Sequence, residues 1–232
     1  MPPIELIRTG LSSADAALLA GFEEGDADTR RSALQPRESW YVRLAVVLGS
    51  PVWLSVIVLA TLTRLVRGRL PLFALHVRAG FLRRRLLVPK VATMSVVTNS
   101  RRLGGLVEVA EGSSLAPSIE TRPERWLRHS GLDELPQLFL VVAGRMRIVG
   151  PRPATFDELA EMGADRASVE LGVDVLHPGI VGVWQVLDRH SYSLEQRRQL
   201  DSFMIHHWSP ALQRKVVRVA ARQALRRFFG RL

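Results

Sequence analysis

No cysteine occurs in the 232 residues. That removes disulfides, thiolate metal sites and cysteine nucleophiles in one step, and it fits a reducing compartment. Lysine is nearly absent as well. Only two of the 32 basic side chains are lysine, a bias of composition rather than of function. Acids are missing from two whole stretches. Residues 64–102 carry nine arginines and Lys90 without one acid, and residues 210–232 carry six arginines and Lys215 without one. Residues 1–39 carry seven acids against four arginines, and residues 103–209 fifteen against ten. The formal charge of +10 therefore lies on two segments around an acidic middle. Such segments suit a polyanion, either nucleic acid or an anionic lipid surface. Internal repeats and low-complexity tracts are absent too, and the length suits one compact domain with an appendage.

One stretch lacks charge altogether. From Leu44 to Thr63 twenty residues run LAVVLGSPVWLSVIVLATLT, about the shortest length that crosses a bilayer. The run is apolar all round, which disfavours an ordinary core helix with one polar face. Ser50-Pro51 interrupts it, and an internal proline removes a hydrogen bond and bends the axis. Both flanks are basic, with Arg30, Arg31, Arg37 and Arg43 before and Arg64, Arg67 and Arg69 after. Positive flanks prefer the cytoplasm, so a helix–break–helix that enters and returns is expected over residues 40–68. Folded in half it reaches about 15 Å, within one leaflet. A long tilted span is the competing topology. Thr29-Arg30-Arg31 has the look of an export signal, but no small-residue cleavage site follows the apolar run, so cleavage is not expected. Residues 1–39 read as a poorly ordered tail with a short helix over 12–24.

Beyond Arg69 the pattern is mixed. An α/β (α+β), mainly helical, catalytic domain is expected over residues 69–209. Residues 86–98 suit a strand, 136–143 a short apolar helix stopped by Gly144, and 146–150 a second strand. Thr155-Phe-Asp-Glu158 and Ser193-Leu-Glu-Gln196 are capping boxes, opening helices to about Met162 and His207. Residues 210–232 contain a basic amphipathic helix over 210–229. Its rows are Arg214, Arg218, Arg222, Arg226 and Leu212, Val216, Ala220, Ala224, Phe228. It suits either an anionic membrane surface or ordinary packing on the domain.

Three segments are dense in chemistry. Arg128-His-Ser-Gly-Leu-Asp-Glu-Leu-Pro-Gln-Leu-Phe139 sets Asp133 and Glu134 side by side among apolar residues. Such carboxylates have tunable pKa values, and one can act as nucleophile while the other acts as base. Ser130-x-x-Asp133 also reads as a plain helix cap. In Val149-Gly-Pro-Arg-Pro153 two prolines fix the backbone around Arg152, as a phosphate clamp requires, and Gly150 permits close approach of a ligand. His177-Pro-Gly-Ile-Val-Gly-Val-Trp-Gln-Val186 reads as a turn and an apolar core strand.

In order, "SGLDELPQLF", "IVGPRP", "HPGIVGVWQV" and "LDSFMIHHWS" resemble the bacterial sugar transferases, the monotopic phosphoglycosyl transferases, over roughly residues 40–210. Arg152 follows Asp133 by nineteen residues, the family's spacing. The break at Ser50-Pro51 matches the family's re-entrant helix, and the chain is similar to the small form with a single such helix. The resemblance implies that Asp133 attacks the β-phosphorus of a UDP-sugar, forms an aspartyl phosphosugar with release of UMP, and contacts Mg²⁺. It implies that Glu134 assists polyprenol (undecaprenyl) phosphate in the second step. Phosphate and substrate contacts fall to Lys90, Arg78, Arg128, Arg152, Pro153 and Asp201. The enzyme would sit on inner-membrane lipid at the cytoplasmic face of a bacterium and start an exopolysaccharide, capsule or glycoconjugate. A homodimer stays open.

The chain departs from the family patterns at five positions. Ala92 replaces the arginine of "KFRTM" and Glu124 the glycine of "TRxGRxLR". Leu140 and Arg145 replace the asparagine and acid of "LFNVLxGDM", and His177 replaces the lysine of "KPGITG". These departures motivate a rival expectation, a membrane-bound relative that binds or scaffolds without turnover. A nucleic-acid binder leaves the apolar run unexplained and is not expected.

Overall fold

The computed structural model describes residues 13–23, 38–93, 95–96, 100–109, 115–116, 122–161, 177–187 and 192–229. Helix α1 is Ser13–Glu23, α2 Trp40–Leu48 and α3 Ser50–Val66. A hairpin follows, β1 Phe73–Ala79 and β2 Arg85–Val91, then the short strands β3 Ser95–Val96, β4 Ser100–Leu103, β5 Leu106–Val109 and β6 Leu115–Ala116. Helix α4 is Arg122–Ser130, a 3-10 helix covers Leu132–Gln137, and α5 is Leu138–Val142. Then come β7 Arg147–Val149, α6 Phe156–Glu161, β8 Gly179–Val181, α7 Val183–Val186, α8 Leu194–His206 and α9 Pro210–Phe229. The result is mixed α/β and mostly helical.

The main sheet has the order β2-β1-β5-β4. β1 runs antiparallel to β2 and parallel to β5. β7 and β8 form a separate parallel pair, and β3 and β6 another small one. The strand expected over 86–98 is thus two. β2 ends at Val91, and Ser95–Val96 leaves it to pair with Leu115–Ala116. The strand expected after His177 lasts only to Val181, because Gly182 opens the helical turn α7. Both capping boxes form. Glu158 N–H donates to Thr155 Oγ1 (2.9 Å) and Thr155 N–H to Glu158 Oε2 (2.7 Å). Ser193 and Gln196 reciprocate in the same way at the start of α8.

Helices α2 and α3 meet at a bend of 56°. The bend centres on Gly49, one residue before the expected break. Pro51 sits in the first turn of α3, where its missing N–H costs nothing. The indole N–H of Trp53 donates back across the bend to the Val46 carbonyl (2.9 Å), and Ser55 Oγ donates to Pro51 O (2.6 Å). No single described helix is long and apolar enough to cross a membrane, but this bent pair is, by length and composition. The pair is also less uniform than the sequence reads. Trp53, Ile57, Ala60 and Arg64 form one buried row at helical spacing. Trp40, Tyr41, Leu48, Val52, Leu59, Leu65 and Val66 stand more than half exposed. A contiguous apolar face of this kind marks a surface that meets something.

The main core gathers α1, β7, α7, α8 and α9. Residues 1–39 are expected as a tail with a short helix, and the helix is there as α1. It is built into the core, however. Leu19 and Phe22 are buried in the cluster and the Tyr192 hydroxyl donates to Asp15 Oδ2 (2.7 Å). Burying each such apolar side chain is worth about 1.5–3 kcal/mol. The other residues of 1–37 lie outside the described ones. The apolar row of α9 likewise points inward. Leu212 and Val216 are fully buried, Val219 and Ala220 pack beside them, and Phe228 lies against Trp126. Of the two expectations for this helix, packing on the domain is the correct one. The arginine row 214, 218, 222 and 226 faces outward.

Candidate active site

β1 and β2 make one wall of a cavity of about 570 Å³. Side chains alternate along a strand, so Ala74, His76 and Arg78 share one face of β1. In register, Ala74 stands opposite Lys90 of β2. All four line the cavity. The floor is the 3-10 helix with Asp133 and Glu134. The far side is Arg152 and Gln185, and α9 closes it with Val217, Ala221, Ala224 and Arg227.

The segment that carries Asp133 and Glu134 is built locally. Gly131 at φ 77° ends α4 and turns the chain, a left-handed position that glycine adopts freely. Ser130 belongs to α4, where its Oγ donates to the Trp126 and Leu127 carbonyls. It therefore does not cap the acidic segment, and the plain-cap reading of Asp133 falls. The 3-10 helix runs directly into α5, with Gln137 and Leu138 both in the right-handed helical region. The apolar helix expected over 136–143 is Leu138–Val142, and Gly144 at φ 69° does end it.

Asp133 is buried, at 6% exposure. Burial, then the charge of Glu134, pushes its carboxyl up to about 7, with Lys90 and Arg128 pulling the other way. Lys90 Nζ contacts Glu134 Oε1 at 2.6 Å. Arg78, Arg128 and Arg152 line the same space. Four cationic side chains thus surround two carboxylates, a balance suited to a diphosphate. Burial, Lys90 and Arg78 press His76 down to about 4, so its imidazole is neutral at neutral pH.

Arg152 is held from behind. Asp201, buried and itself pushed well above the carboxylate range by that burial, accepts a hydrogen bond from the Arg152 backbone N–H. The Arg152 guanidinium lies 5.4 Å from the centre of the Trp184 ring, and Arg197 4.9 Å from it. Asp201 and Pro153, both expected at the substrate, stand behind Arg152 in this structure. Neither lines the cavity, and both are buried beneath Arg152. Gly150 is also reassigned. A Cβ there would stand 2.7 Å from Gly179 N. The close approach it permits is to the backbone of β8, not to a ligand.

Sequence reasoning missed His76, Trp184, Gln185 and the α9 wall. The period-two pattern His76-x-Arg78 was a usable signal for the first. The α9 wall had none, because the Gln223 side chain reaches the Val186 carbonyl (2.7 Å) across 37 residues. Among the departures, Glu124 pairs in the interior with Arg64 and with Arg69 (3.0 Å). His177 stacks on Phe81 at 4.5 Å and meets the Arg145 carbonyl at 3.1 Å.

Comparison with known proteins adds three similarities. The chain is 32% identical over 177 residues to the uncharacterized sugar transferase EpsL of Bacillus subtilis (strain 168), covering 74% of this chain and 79% of that one. It is 41% identical over 85 residues to the undecaprenyl-phosphate galactose phosphotransferase of Salmonella typhimurium (strain LT2), over 37% of this chain. It is 28% identical over 182 residues to the UDP-glucose:undecaprenyl-phosphate glucose-1-phosphate transferase of Klebsiella pneumoniae, over 75% of this chain. The match spans 17% of the Salmonella protein and 36% of the Klebsiella one. The family model described as bacterial sugar transferase matches residues 38–227, a stretch that takes in the bent helix pair, the cavity and α9, and the chain belongs to the bacterial sugar transferase family.

Proposed function

We propose that this protein moves a phosphosugar from a UDP-sugar to undecaprenyl phosphate, releasing UMP, and so starts a bacterial exopolysaccharide, capsule or glycoconjugate. The observation that carries this reading is Asp133, a buried carboxyl raised to about 7 beside Glu134 in a cavity lined by Lys90, Arg78, Arg128 and Arg152.

The step follows from that arrangement. Ionised Asp133 attacks the β-phosphorus of the donor. The bond from that phosphorus to the oxygen bridging the α-phosphate breaks, UMP leaves with the electron pair, and the phosphosugar is esterified to Asp133. An oxygen of undecaprenyl phosphate then attacks the same phosphorus, and the Asp133 carboxylate is the leaving group. Glu134, held by Lys90, faces the incoming phosphate in the second step. Arg152, with its backbone fixed by Asp201 and its fork against Trp184, clamps non-bridging oxygens.

Mg²⁺ commonly takes one or two carboxylates and completes its shell with substrate phosphates and water. Asp133 with Glu134 and a bound diphosphate is such a donor set. Burial and then the Glu134 charge raise the Asp133 pKa, and a dication beside it would offset both. When bound, the ion would neutralise charge developing on the leaving phosphate.

The bent pair α2–α3 is read as re-entrant in the inner membrane, with both ends and the domain on the cytoplasmic face, where UDP-sugars are. Its exposed apolar residues then meet lipid, and Arg43, donating to the Val142 carbonyl (Nε 2.9 Å), ties it to α5. The test is to incubate the detergent-solubilised chain with Mg²⁺, undecaprenyl phosphate and a panel of UDP-sugars. UMP release and, without acceptor, a protein mass raised by one phosphosugar are expected. No release and no adduct with any donor would favour the non-catalytic scaffold.

A further inference from the structure

The turn between β1 and β2 is built from residues that oppose its geometry. Arg84 N–H donates to the Phe81 carbonyl (3.2 Å) and Arg83 N–H to the Gly80 carbonyl (2.9 Å). Between them Leu82 (φ 51°) and Arg83 (φ 57°) are both left-handed. This is the mirror-image type I′ turn, whose two positive-φ positions are ordinarily filled by Asn-Gly or Gly-Gly. Among the described residues they are the non-glycine residues with positive φ. A backbone outlier of this kind leads toward function.

What the strain presents is an apolar apex in a basic setting. Leu82 is 56% exposed, so packing within the chain does not account for it. Arg84 and Arg85 are exposed beside it, Arg85 with Glu108 as partner. The base of the turn is stiff, because Phe81 stacks on His177 and His177 Nδ1 meets the Arg145 carbonyl. The same contacts locate the apex. Gly144, next to Arg145, lies under the Arg43 guanidinium, where an added Cβ would stand 3.5 Å from Cζ. Arg43 stands one turn from Trp40 and Tyr41, which are exposed at the start of α2. These contacts link the base of the turn to Arg43, near the end of the apolar segment where headgroups would lie, and Arg145 is exposed along that path.

We propose that the β1–β2 turn is a second membrane contact. Leu82 enters the boundary between headgroups and acyl chains of an anionic leaflet, and Arg84 and Arg145 meet lipid phosphates. Two separated contacts, α2–α3 and this apex, fix the tilt of the domain, which one contact alone leaves free. The proposal rests on the reading that α2–α3 lies in the bilayer.

The cysteine-free chain makes the test direct. Single cysteines at Leu82, Val58 and Glu195 are labelled with an environment-sensitive fluorophore. The full chain is then reconstituted into phosphatidylcholine vesicles with or without phosphatidylglycerol, each carrying spin-labelled quencher lipids. Val58, on the exposed face of α3, reports whether the chain is in the bilayer at all. The expected result is quenching at Val58 in both lipids, quenching at Leu82 that strengthens with phosphatidylglycerol, and none at Glu195. An unquenched Val58 would overturn the bilayer reading itself. A quenched Val58 with Leu82 behaving like Glu195 overturns the apex alone. A second variant, Leu82→Asn with Arg83→Gly, gives the turn its preferred residues. Its Tm in detergent should rise while a probe at Arg84 loses most of its quenching. A Tm that stays or falls, or an Arg84 probe quenched as before, removes the ground for the proposal.

Discussion

At the scale of single residues the site trades stability for chemistry. Asp133 titrates at about 7 instead of 3.8. In the proposed mechanism it attacks phosphorus only when ionised, and below that value it is protonated. kcat/KM, which reports the free enzyme, should therefore fall about tenfold per pH unit below roughly pH 7, as initial rates across a pH series would show. The same shift sets a stability dependence. A carboxyl whose folded pKa is raised holds its proton more tightly when folded, so its contribution is fully present below 3.8 and is lost as pH rises through 7. Asp133→Asn, uncharged throughout, should abolish UMP release yet unfold at a higher temperature than the native chain above pH 7. The gain is at most about 4 kcal/mol at 1.36 kcal/mol per pKa unit, and the two chains should converge near pH 4. A variant that keeps turnover removes Asp133 from the chemistry. Arg152→Lys retains charge but loses the planar fork that lies against Trp184. A loss of at least ~10-fold in kcat/KM, about 1.4 kcal/mol, is expected, and unchanged kinetics would remove the clamp. Residue identity was legible at this scale where charged groups gather, and Asp133, Glu134 and Arg152 do line one cavity. Position behind the site was not. Asp201 supports Arg152 from 49 residues away, and no local pattern tells a carboxylate that lines the cavity from one that holds the backbone beneath it.

At the scale of elements, signals confined to one turn of chain proved the readable ones. The capping boxes at Thr155 and Ser193 form as their spacing requires, and α9 spans Pro210–Phe229 as its periodicity predicts. What an element packs against is a long-range matter. The periodicity of α9 announces an apolar row, but only tertiary structure shows Leu212 and Val216 meeting the main core instead of lipid. The bend between α2 and α3 was likewise legible to within a residue, because proline and glycine act locally, while the buried row Trp53, Ile57, Ala60 and Arg64 was hidden in a run apolar on all sides. Topology is the testable consequence. Single cysteines at Ser39 and Gly68, before and after the bent pair, should both resist a membrane-impermeant thiol reagent in intact cells and both label once cells are opened. Labelling of Ser39 from outside would mean a full span. The turn at Leu82 and Arg83 belongs to this scale too, where two left-handed residues without glycine cost roughly 1–2 kcal/mol each.

At the scale of the whole molecule, one buried side chain ties the bent pair to the segment that carries Asp133. Glu124, the departure from glycine, receives Arg64 from α3 and Arg69 beyond it and sits in α4, directly before the 3-10 helix that carries Asp133. Ala60, Val91 and Leu127 pack around the same joint. Removing one partner of a buried pair strands the other, at about 3–5 kcal/mol. Glu124→Gln should lower thermal stability in detergent by that order and slow turnover by displacing Asp133, and a variant with native Tm and rate would show the joint to be idle. The core itself has a further consequence, in time instead of space. It joins Leu19 and Phe22 to Leu212 and Val216, and the Tyr192 hydroxyl bonds Asp15 across 177 residues. During synthesis α2 and α3 leave the ribosome well before α8 and α9 exist. On the re-entrant reading the apolar segment is then committed to the bilayer while the domain beside it has no core to close, and the cavity takes shape only after the last helix arrives to be its wall.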